Sequence, residues 1–596
     1  MTPQSSLDLG VIGNCSFGAL VDKLGRIVWC CLPRFDGDPV FNDLLSGEGV
    51  FEIELENFSH AEQVYRQNTA ILETRLYDTK GQALEIVDFA PRFPSRGRVF
   101  RPNTIIRRVR PLNGRPRVRV LLRPRFEWNA VRPATTRGSN HIRYTSDGLT
   151  LRLTTDAPVD FVAGETPFHL DRSLNFVLGP DETLTESPET VARNFEEETE
   201  RYWRDWVRRL ALPFEWQDAV IRAAITLKLC VYEPTGAIIA ALTTSIPEAP
   251  GSERNWDYRY CWIRDAFFVL RALNSLGAVG TMEHYFRWIS NVAGDFVEGA
   301  SDGHLQPVYG VGLEKTLTEE IVPDLKGYRG MGPVRRGNQA YEHFQHDVYG
   351  NVVLAIAQAF FDKRLFRPCG VEEFRWLEAI GERAYQLHNV PDAGMWELRT
   401  RARVHTSSSL MCWAACDRLA KIGHHLGMEG RASYWRGRAD EIRAVILKEA
   451  WNEEQGCFVE SFGGGHLDAS VLLMGEIGLI DPMDPRFVAT VEKIEARLGD
   501  GPHMRRYEAP DDFGEPETAF NICTFWRIDA LAQIGRVDEA RAVFEEILAC
   551  RNHLGLLSED LSTKTGELWG NFPQTYSLVG IINAARRLSA SWTESV

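Results

Sequence analysis

Apolar and charged residues alternate through the first third of this 596-residue chain, the period-two pattern of strands that bury one face. ALVDKLGRIVWCCL, ILETRLYDTKGQALEIVDF, TIIRRVRPLNGRPRVRVLL and HIRYTSDGLTLRL each set turn residues between β-rich runs. Lys80-Gly81, Asn113-Gly114 and Asp147-Gly148 supply the positive φ angles that tight hairpins need. The expectation is a stack of hairpins forming a β-sandwich over residues 1–187.

The pattern changes at Ser187-Pro188, a helix cap followed by proline at the first helical position, which predicts a linker helix within 188–214. From about residue 215 the period stays near 3.6 and predicts twelve helices, near 216–233, 265–277, 281–298, 342–361, 371–388, 406–425, 431–450, 467–478, 485–498, 516–534, 537–551 and 575–588. Two of them show the basis. Ile522, Phe525, Trp526 and Ile528 form one apolar face, and Val537, Ala540, Val543, Phe544, Ile547 and Leu548 form the next after Gly535, as in an αα-hairpin. Twelve helices in sequential hairpins close into a ring of six pairs, so 215–596 is expected to be an (α/α)6 barrel. The fold class is therefore β then all-α, a sandwich followed by that barrel.

In such a ring every connection from an odd to the next even helix emerges at one end. WDYRYCWIRD, GPVRRGNQAYEH, DAGMWELR, WNEEQGCF, HMRRYEAPDD and GLLSEDLSTKTGELWGNFPQ occupy those six connections and carry the tryptophans, arginines and carboxylates. Gathered at one end they predict a pocket.

Composition narrows what the pocket holds. A formal charge of −15 disfavours nucleic acid, whose binders present basic stripes, and 16 Trp and 31 Phe suit stacking on a neutral sugar. Eleven cysteines without a repeated spacing indicate neither a disulfide framework nor a zinc site. A reducing compartment follows, and with no apolar run long enough to span a bilayer and no signal-type start, the expected location is the cytoplasm, away from the membrane. The His343–His346 stretch has half-site spacing only, so neither metal nor cofactor is expected.

Glu397, between Trp396 and Leu398, sits where apolar surroundings would raise a carboxyl pKa, as a general acid needs. Glu559, among Ser558, Asp560 and Ser562, sits where polar neighbours would leave it ionised and able to activate water, with Asp560 and Glu567 as rivals. Facing one another across roughly 6.5–9.5 Å, the two acids would hydrolyse a glycosidic bond with inversion. Trp262, Arg264 and Asp265 offer a stacking platform with a charged donor and acceptor, though an Asp at a helix start is also a common cap.

RNWDYRYCWIRDAFFVLRAL, GMWELR, RRYEAPDDFGEP and GLLSEDLSTKTGELWGNFPQTYSLVGIINAA, in that order, resemble segments of glycoside hydrolase family 15, the glucoamylase and bacterial trehalase family; GNCSFGALVDKLGRIVWCCLPRFDGDPVF is similar to the amino terminus of its bacterial members. The resemblance covers nearly the whole chain. It implies a sandwich followed by an (α/α)6 barrel and metal-independent, exo-acting, inverting release of β-glucose from an α-linked di- or oligosaccharide. It implies Glu397 as acid and Glu559 as base, glucose-holding groups at Arg264, Asp265 and Arg506, and aromatic walls at Trp262, Trp396, Tyr507 and Tyr576. Asn255, Asp257 and Tyr258 belong to the same first motif and are carried as substrate-binding residues. Ser409 stands where many bacterial members place a lysine, which leaves trehalose, maltose-type, isomaltose-type and longer glucans open. Phosphorolysis on the same barrel and a non-catalytic glucan-binding protein are the competing readings, and a homodimer is the assembly considered.

Overall fold

A computed structural model describes residues 5–297 and 304–595. Residues 1–4, which open the amino-terminal stretch read above, and Glu298, the last position of one expected helix, lie outside the described residues.

Two antiparallel sheets form the first part of the chain. One is seven-stranded and includes Leu9–Gly13, Gly18–Asp22, Ile27–Leu32, Val50–Leu55 and Arg117–Arg123; the other is eight-stranded and runs from Ala134–Arg137 through Leu174–Gly179 and Ile105–Asn113 to Phe58–Tyr65. Their inner faces meet in one core that includes Val21, Ile27, Phe51, Ile53, Ile86, Val120, Leu153 and Phe176, as alternating strands require. Leu72–Asp78 and Ala83–Phe89 pair as a hairpin around Gly81, whose φ is +79°. Asn113-Gly114 does something else. Gly114 has φ +69°, but the strands on either side, Ile105–Asn113 and Arg117–Arg123, belong to different sheets. The turn is a crossing between layers, because each strand has longer-range partners that outcompete its sequence neighbour. Asp147-Gly148 does join the paired strands His141–Thr145 and Thr150–Thr155, with no positive φ at either turn residue.

A helix over Pro188–Arg208, capped by the Ser187 hydroxyl accepting from the Thr190 N–H, leads into the second part. There the barrel helices are α1 Gln217–Leu229, α2 Ile263–Ser275, α3 Val279–Val297, α4 Asp347–Phe361, α5 Val371–Leu387, α6 Thr406–His425, α7 Glu429–Glu449, α8 Leu473–Ile477, α9 Pro485–Leu498, α10 Asn521–Gln533, α11 Val537–Ala549 and α12 Thr575–Leu588. The even helices pack in a closed cycle, α2 on α4, α4 on α6, α6 on α8, α8 on α10, α10 on α12 and α12 back on α2, with the odd helices packed outside them. Burial follows this division. In α4 thirteen of fifteen residues are buried, as expected of an inner helix apolar all round. In α9 only Phe487, Thr490, Val491, Ile494 and Leu498 are buried, one stripe at helical spacing.

The sandwich is bonded into the barrel. Trp29 Nε1 donates to the Leu242 carbonyl at 2.8 Å, and Asn552 Nδ2 donates to the Leu7 and Leu9 carbonyls at 3.0 and 2.9 Å. Arg259, fully buried, pairs with Asp257 at 2.7 Å and donates to the Gly37 carbonyl at 2.6 Å. Glu233 takes ion pairs from Arg92 of the sandwich at 2.6 Å and from Lys228 of α1 at 2.5 Å. All eleven cysteines are free thiols. Among the described residues no helix is long and apolar enough to cross a membrane.

Candidate active site

One end of the barrel opens into a cavity of about 920 Å³, counted to its open mouth and lined by five of the six odd-to-even connections. The first supplies Glu248, Arg254, Trp256, Tyr258 and Trp262; the second Asn338, Ala340 and His343; the third Met395 to Arg399; the fifth Arg506, Tyr507 and Asp511 to Phe513; the sixth Glu559 and Gln574. Arg264 and Asp265 at the start of α2, Trp526 of α10 and Tyr576 of α12 complete the wall. The fourth connection stands back. WNEEQGCF forms a small hairpin, Trp451–Asn452 with Cys457–Phe458, and contributes nothing to the lining. A residue further along it, Asp468, accepts from Trp396 Nε1 at 2.7 Å and so braces the wall from behind. Burial pushes the Asp468 carboxyl up to about 6, against the hydrogen bonds it accepts from Ser470 and Trp396.

Glu397 sits in a tight loop between α5 and α6. Its φ is +60°, in the left-handed region that costs a non-glycine residue about 1–2 kcal/mol. The loop holds it there. Glu397 N–H donates to the Gly394 carbonyl and Leu398 N–H to the Ala393 carbonyl, both at 3.1 Å, while Arg264 Nη1 donates to the Met395 carbonyl at 2.6 Å. Trp262 Nε1 donates to Glu397 Oε1 at 2.6 Å, and the Trp262 ring packs edge-on against Tyr258 with centroids 5.4 Å apart. The Tyr258 hydroxyl in turn faces Glu559. Tyr258 and Trp262 thus share one wall with the two carboxyls.

The settings of these acids are the reverse of the sequence-based expectation. Glu559, though on the cavity wall, is only 2 % exposed, whereas Glu397 is half-buried. Burial, then the neighbouring charges of Asp560 and Glu248, raise the Glu559 carboxyl well above the usual range, with Arg506 and the Tyr258 hydroxyl acting the other way. The polar neighbours in GLLSEDLS therefore do not solvate Glu559. Ser558 donates to the Asp560 carbonyl at 2.8 Å instead, and the chain packs over the acid.

Arg506 forms a buried ion pair with Glu248, Nη1 to Oε1 at 3.2 Å together with a second contact from Nη2. Asp265 is buried beside Arg264, with Arg264 Nε to Asp265 Oδ2 at 3.1 Å; burial raises its carboxyl and Arg264 opposes that. The Tyr576 hydroxyl and Gln574 Oε1, both on the wall, are buried polar atoms without a partner. Trp396 stands against Tyr507, Phe520 and Trp526 with ring centroids 5.8, 5.5 and 6.0 Å away. Faces for stacking, beside donors and acceptors aimed inward, are what a polyhydroxyl ring needs.

Two of the expected binding residues do not reach the cavity. Asp257 is spent on Arg259 and on the Gly337 N–H, and Asn255 accepts from Arg335 Nε through its carbonyl and Oδ1 at 2.9 and 3.2 Å. Both shape the first connection from behind. The residues the sequence did not single out are Glu248, Arg254, Trp256, Arg399 and Phe513. Glu248 lies in SIPEAPGSE, a coil stretch without periodicity, and its only signal is the unusual position of a carboxylate between two prolines. Asp512, in the quoted HMRRYEAPDD, accepts from Arg399 N at 2.8 Å and ties the third connection to the fifth at the cavity mouth.

A family model for glycosyl hydrolases family 15 matches residues 216–586, and a model for a trehalase-like amino-terminal region matches residues 6–172. The chain is 31% identical over 593 residues to a trehalase of Thermoplasma volcanium, covering 97% of this chain and 93% of that protein. It is 32% identical over 616 residues to a trehalase of Mycolicibacterium smegmatis, covering 97% and 90%. Its fold resembles the crystal structure of a bacterial glucoamylase complexed with acarbose, with a TM-score of 0.66 and 12% identity over 98% of this chain and 94% of that one.

Proposed function

This chain belongs to glycosyl hydrolases family 15 and is an inverting glucoside hydrolase, and on that premise we propose that it cleaves α,α-trehalose with Glu397 as general acid and Glu559 as general base. What supports the choice of sugar is that similarity to trehalases at 31–32% identity runs through both parts of the chain, whereas the glucoamylase likeness, at 12%, is one of fold. What supports the roles is that both carboxyls stand on the wall of one cavity, Glu397 held by the Trp262 N–H and Glu559 facing Tyr258.

The step runs as follows. Glu397 gives its proton to the glycosidic oxygen as the C1–O bond breaks, and the leaving glucose departs as an alcohol. Water adds to C1 from the opposite face, and its proton passes to Glu559. Arg264 and Asp265, fixed on each other and on the Met395 carbonyl, are placed to take hydroxyls of the glucose that is attacked. Both carboxyls then exchange their protons with solvent before the next turnover.

One experiment tests sugar and stereochemistry together. Proton NMR of fresh product from trehalose should show one β-glucose, from the attacked ring, for each α-glucose, from the leaving ring. Early accumulation of α-glucose alone, or no release from trehalose with release from maltose, overturns the assignment. Glu397→Gln and Glu559→Gln should each lower kcat by at least about 10²-fold, the usual loss with one acid–base group, with the fold retained by circular dichroism; near-normal turnover in either removes that residue from its role.

A further inference from the structure

The catalytic wall has a second carboxyl layer behind it. Glu559 and Asp560 are consecutive, a spacing that in a regular strand sends side chains to opposite faces. Here carboxylate oxygens of Glu559, Asp560 and Glu248 all lie within 4.8 Å of one another. Gly570 makes this approach available, since a Cβ there would stand 2.9 Å from Glu559 Oε2 and 3.1 Å from Asp560 Oδ2. Glu559 lines the cavity and Asp560 does not, being 1 % exposed on the far side of it.

The charges around this group are unbalanced. Arg506 faces it but is paired with Glu248 through both Nη atoms, and Arg254 is paired with Asp511, Nη1 to Oδ2 at 2.5 Å. The Thr518 hydroxyl donates to Asp560 Oδ1 at 2.8 Å, while Asp560 Oδ2 has no partner. Tyr258, Tyr507 and the buried thiol of Cys523 complete the titratable groups that face the cluster. One guanidinium thus pairs with one of three carboxyls, and Glu559 and Asp560 are left as adjacent buried carboxyls without an ion-pair partner of their own.

We infer that Asp560 is a positioning residue acting by charge: its carboxylate, held directly behind Glu559, makes Glu559 a stronger base toward the attacking water. This rests on Glu559 being the base. The asymmetry of the surroundings sets the direction. Burial and then Glu248 raise the Asp560 carboxyl well above the usual range, with Arg506, Thr518 and Arg254 opposing; but Asp560 Oδ1 holds a hydrogen bond from the Thr518 hydroxyl that favours its charged form, whereas Asp560 itself is, after burial, the first influence raising Glu559. A like charge at such a distance displaces a carboxyl titration by about 1–3 pH units.

The test is the pH profile of kcat/KM of the full chain on whichever α-glucoside it hydrolyses, because the acid limb reports the free enzyme's base. Asp560→Asn should move that limb down by about one pH unit or more and lower kcat at the optimum, as a weaker base does. A limb coinciding with wild type overturns the inference, since a merely structural loss scales activity at every pH alike. Should Asp560→Asn not fold, Thr518→Val decides: without the hydroxyl Asp560 holds its charge less well, and the limb should move the same way by a smaller step; an unmoved limb there overturns it equally. If Glu559→Gln retains turnover, the base assignment itself has failed; if Glu559→Gln is inactive and the limb stays put, only the role of Asp560 has.

Discussion

Gly570 gives a sharp mutational test, because a matched control lies four residues away. Gly570 has φ +74° and Gly566 has φ +71°, so an alanine at either position carries the same left-handed strain, about 1–2 kcal/mol. Around Gly566 nothing stands within 4 Å of an added Cβ. At Gly570 that Cβ would meet Glu559 Cβ at 2.7 Å and Oε2 at 2.9 Å, whereas non-bonded carbons settle near about 3.5–4.0 Å. Glu559 must therefore retreat by about 1 Å, and if it is the base as proposed, a misplacement of that size costs on the order of 10²-fold in rate. Both variants should lose the strain increment in urea unfolding, and Gly570→Ala a further ~1–3 kcal/mol for the overpacking around Glu559. Initial rates of glucose release should be near wild type for Gly566→Ala and about 10²-fold lower for Gly570→Ala, with the loss in kcat. Equal activity in the two refutes the claim that Gly570 is what lets Glu559 reach its place.

Two further substitutions probe buried charge. Asp392, at the root of the loop carrying Glu397, accepts from the His346 N–H and the Ser408 hydroxyl, yet burial pushes its carboxyl up to about 7 from 3.8. Between those values the native state holds a proton that the unfolded chain does not, so wild-type stability should fall as pH rises from about 4 to 7. Asp392→Asn should match wild type near pH 4 and exceed it above pH 7 by at most about 4 kcal/mol, measured by denaturant titration at the two pH values; a constant offset refutes this. Glu248→Ala should destabilise by less than the about 3–5 kcal/mol of a stranded buried charge, because Glu559 and Asp560 stay beside the Arg506 guanidinium; a loss in that range in the same titration shows that neither takes over the pair.

The ring of helices was legible because its elements, the five-residue α8 apart, are long and periodic, and parity of the connections then located the cavity end without any distance. Trp262, Arg264, Asp265, Glu397 and Glu559 could be singled out because each couples an aromatic or a charge to a loop or helix start. Properties set by distant parts of the chain were not legible. Local polarity around Glu559 said nothing about its burial or about the Glu248 carboxyl brought beside it, so its setting was read backwards. Asn255 and Asp257 share a motif with Trp262, but Arg335 and Arg259 claim them from behind, and motif membership alone cannot separate a wall from its brace. The Asn113-Gly114 turn shows the same limit in the sandwich: turn chemistry is local, whereas sheet membership is decided by Ile105–Asn113 and Arg117–Arg123 each finding other neighbours.

Arg259 ties the fate of the two parts together. It lies in the connection that carries Trp262, yet its guanidinium reaches the Gly37 carbonyl at 2.6 Å and stacks over Trp128 at 4.7 Å. Excising the sandwich would uncover that guanidinium, the Trp29-facing carbonyl of Leu242 and the side chain of Asn552 in one stroke. The catalytic ring is thus not a cassette that could be transplanted alone, and evolution or engineering that alters the amino-terminal sheets acts on the connection that carries Trp262 as well.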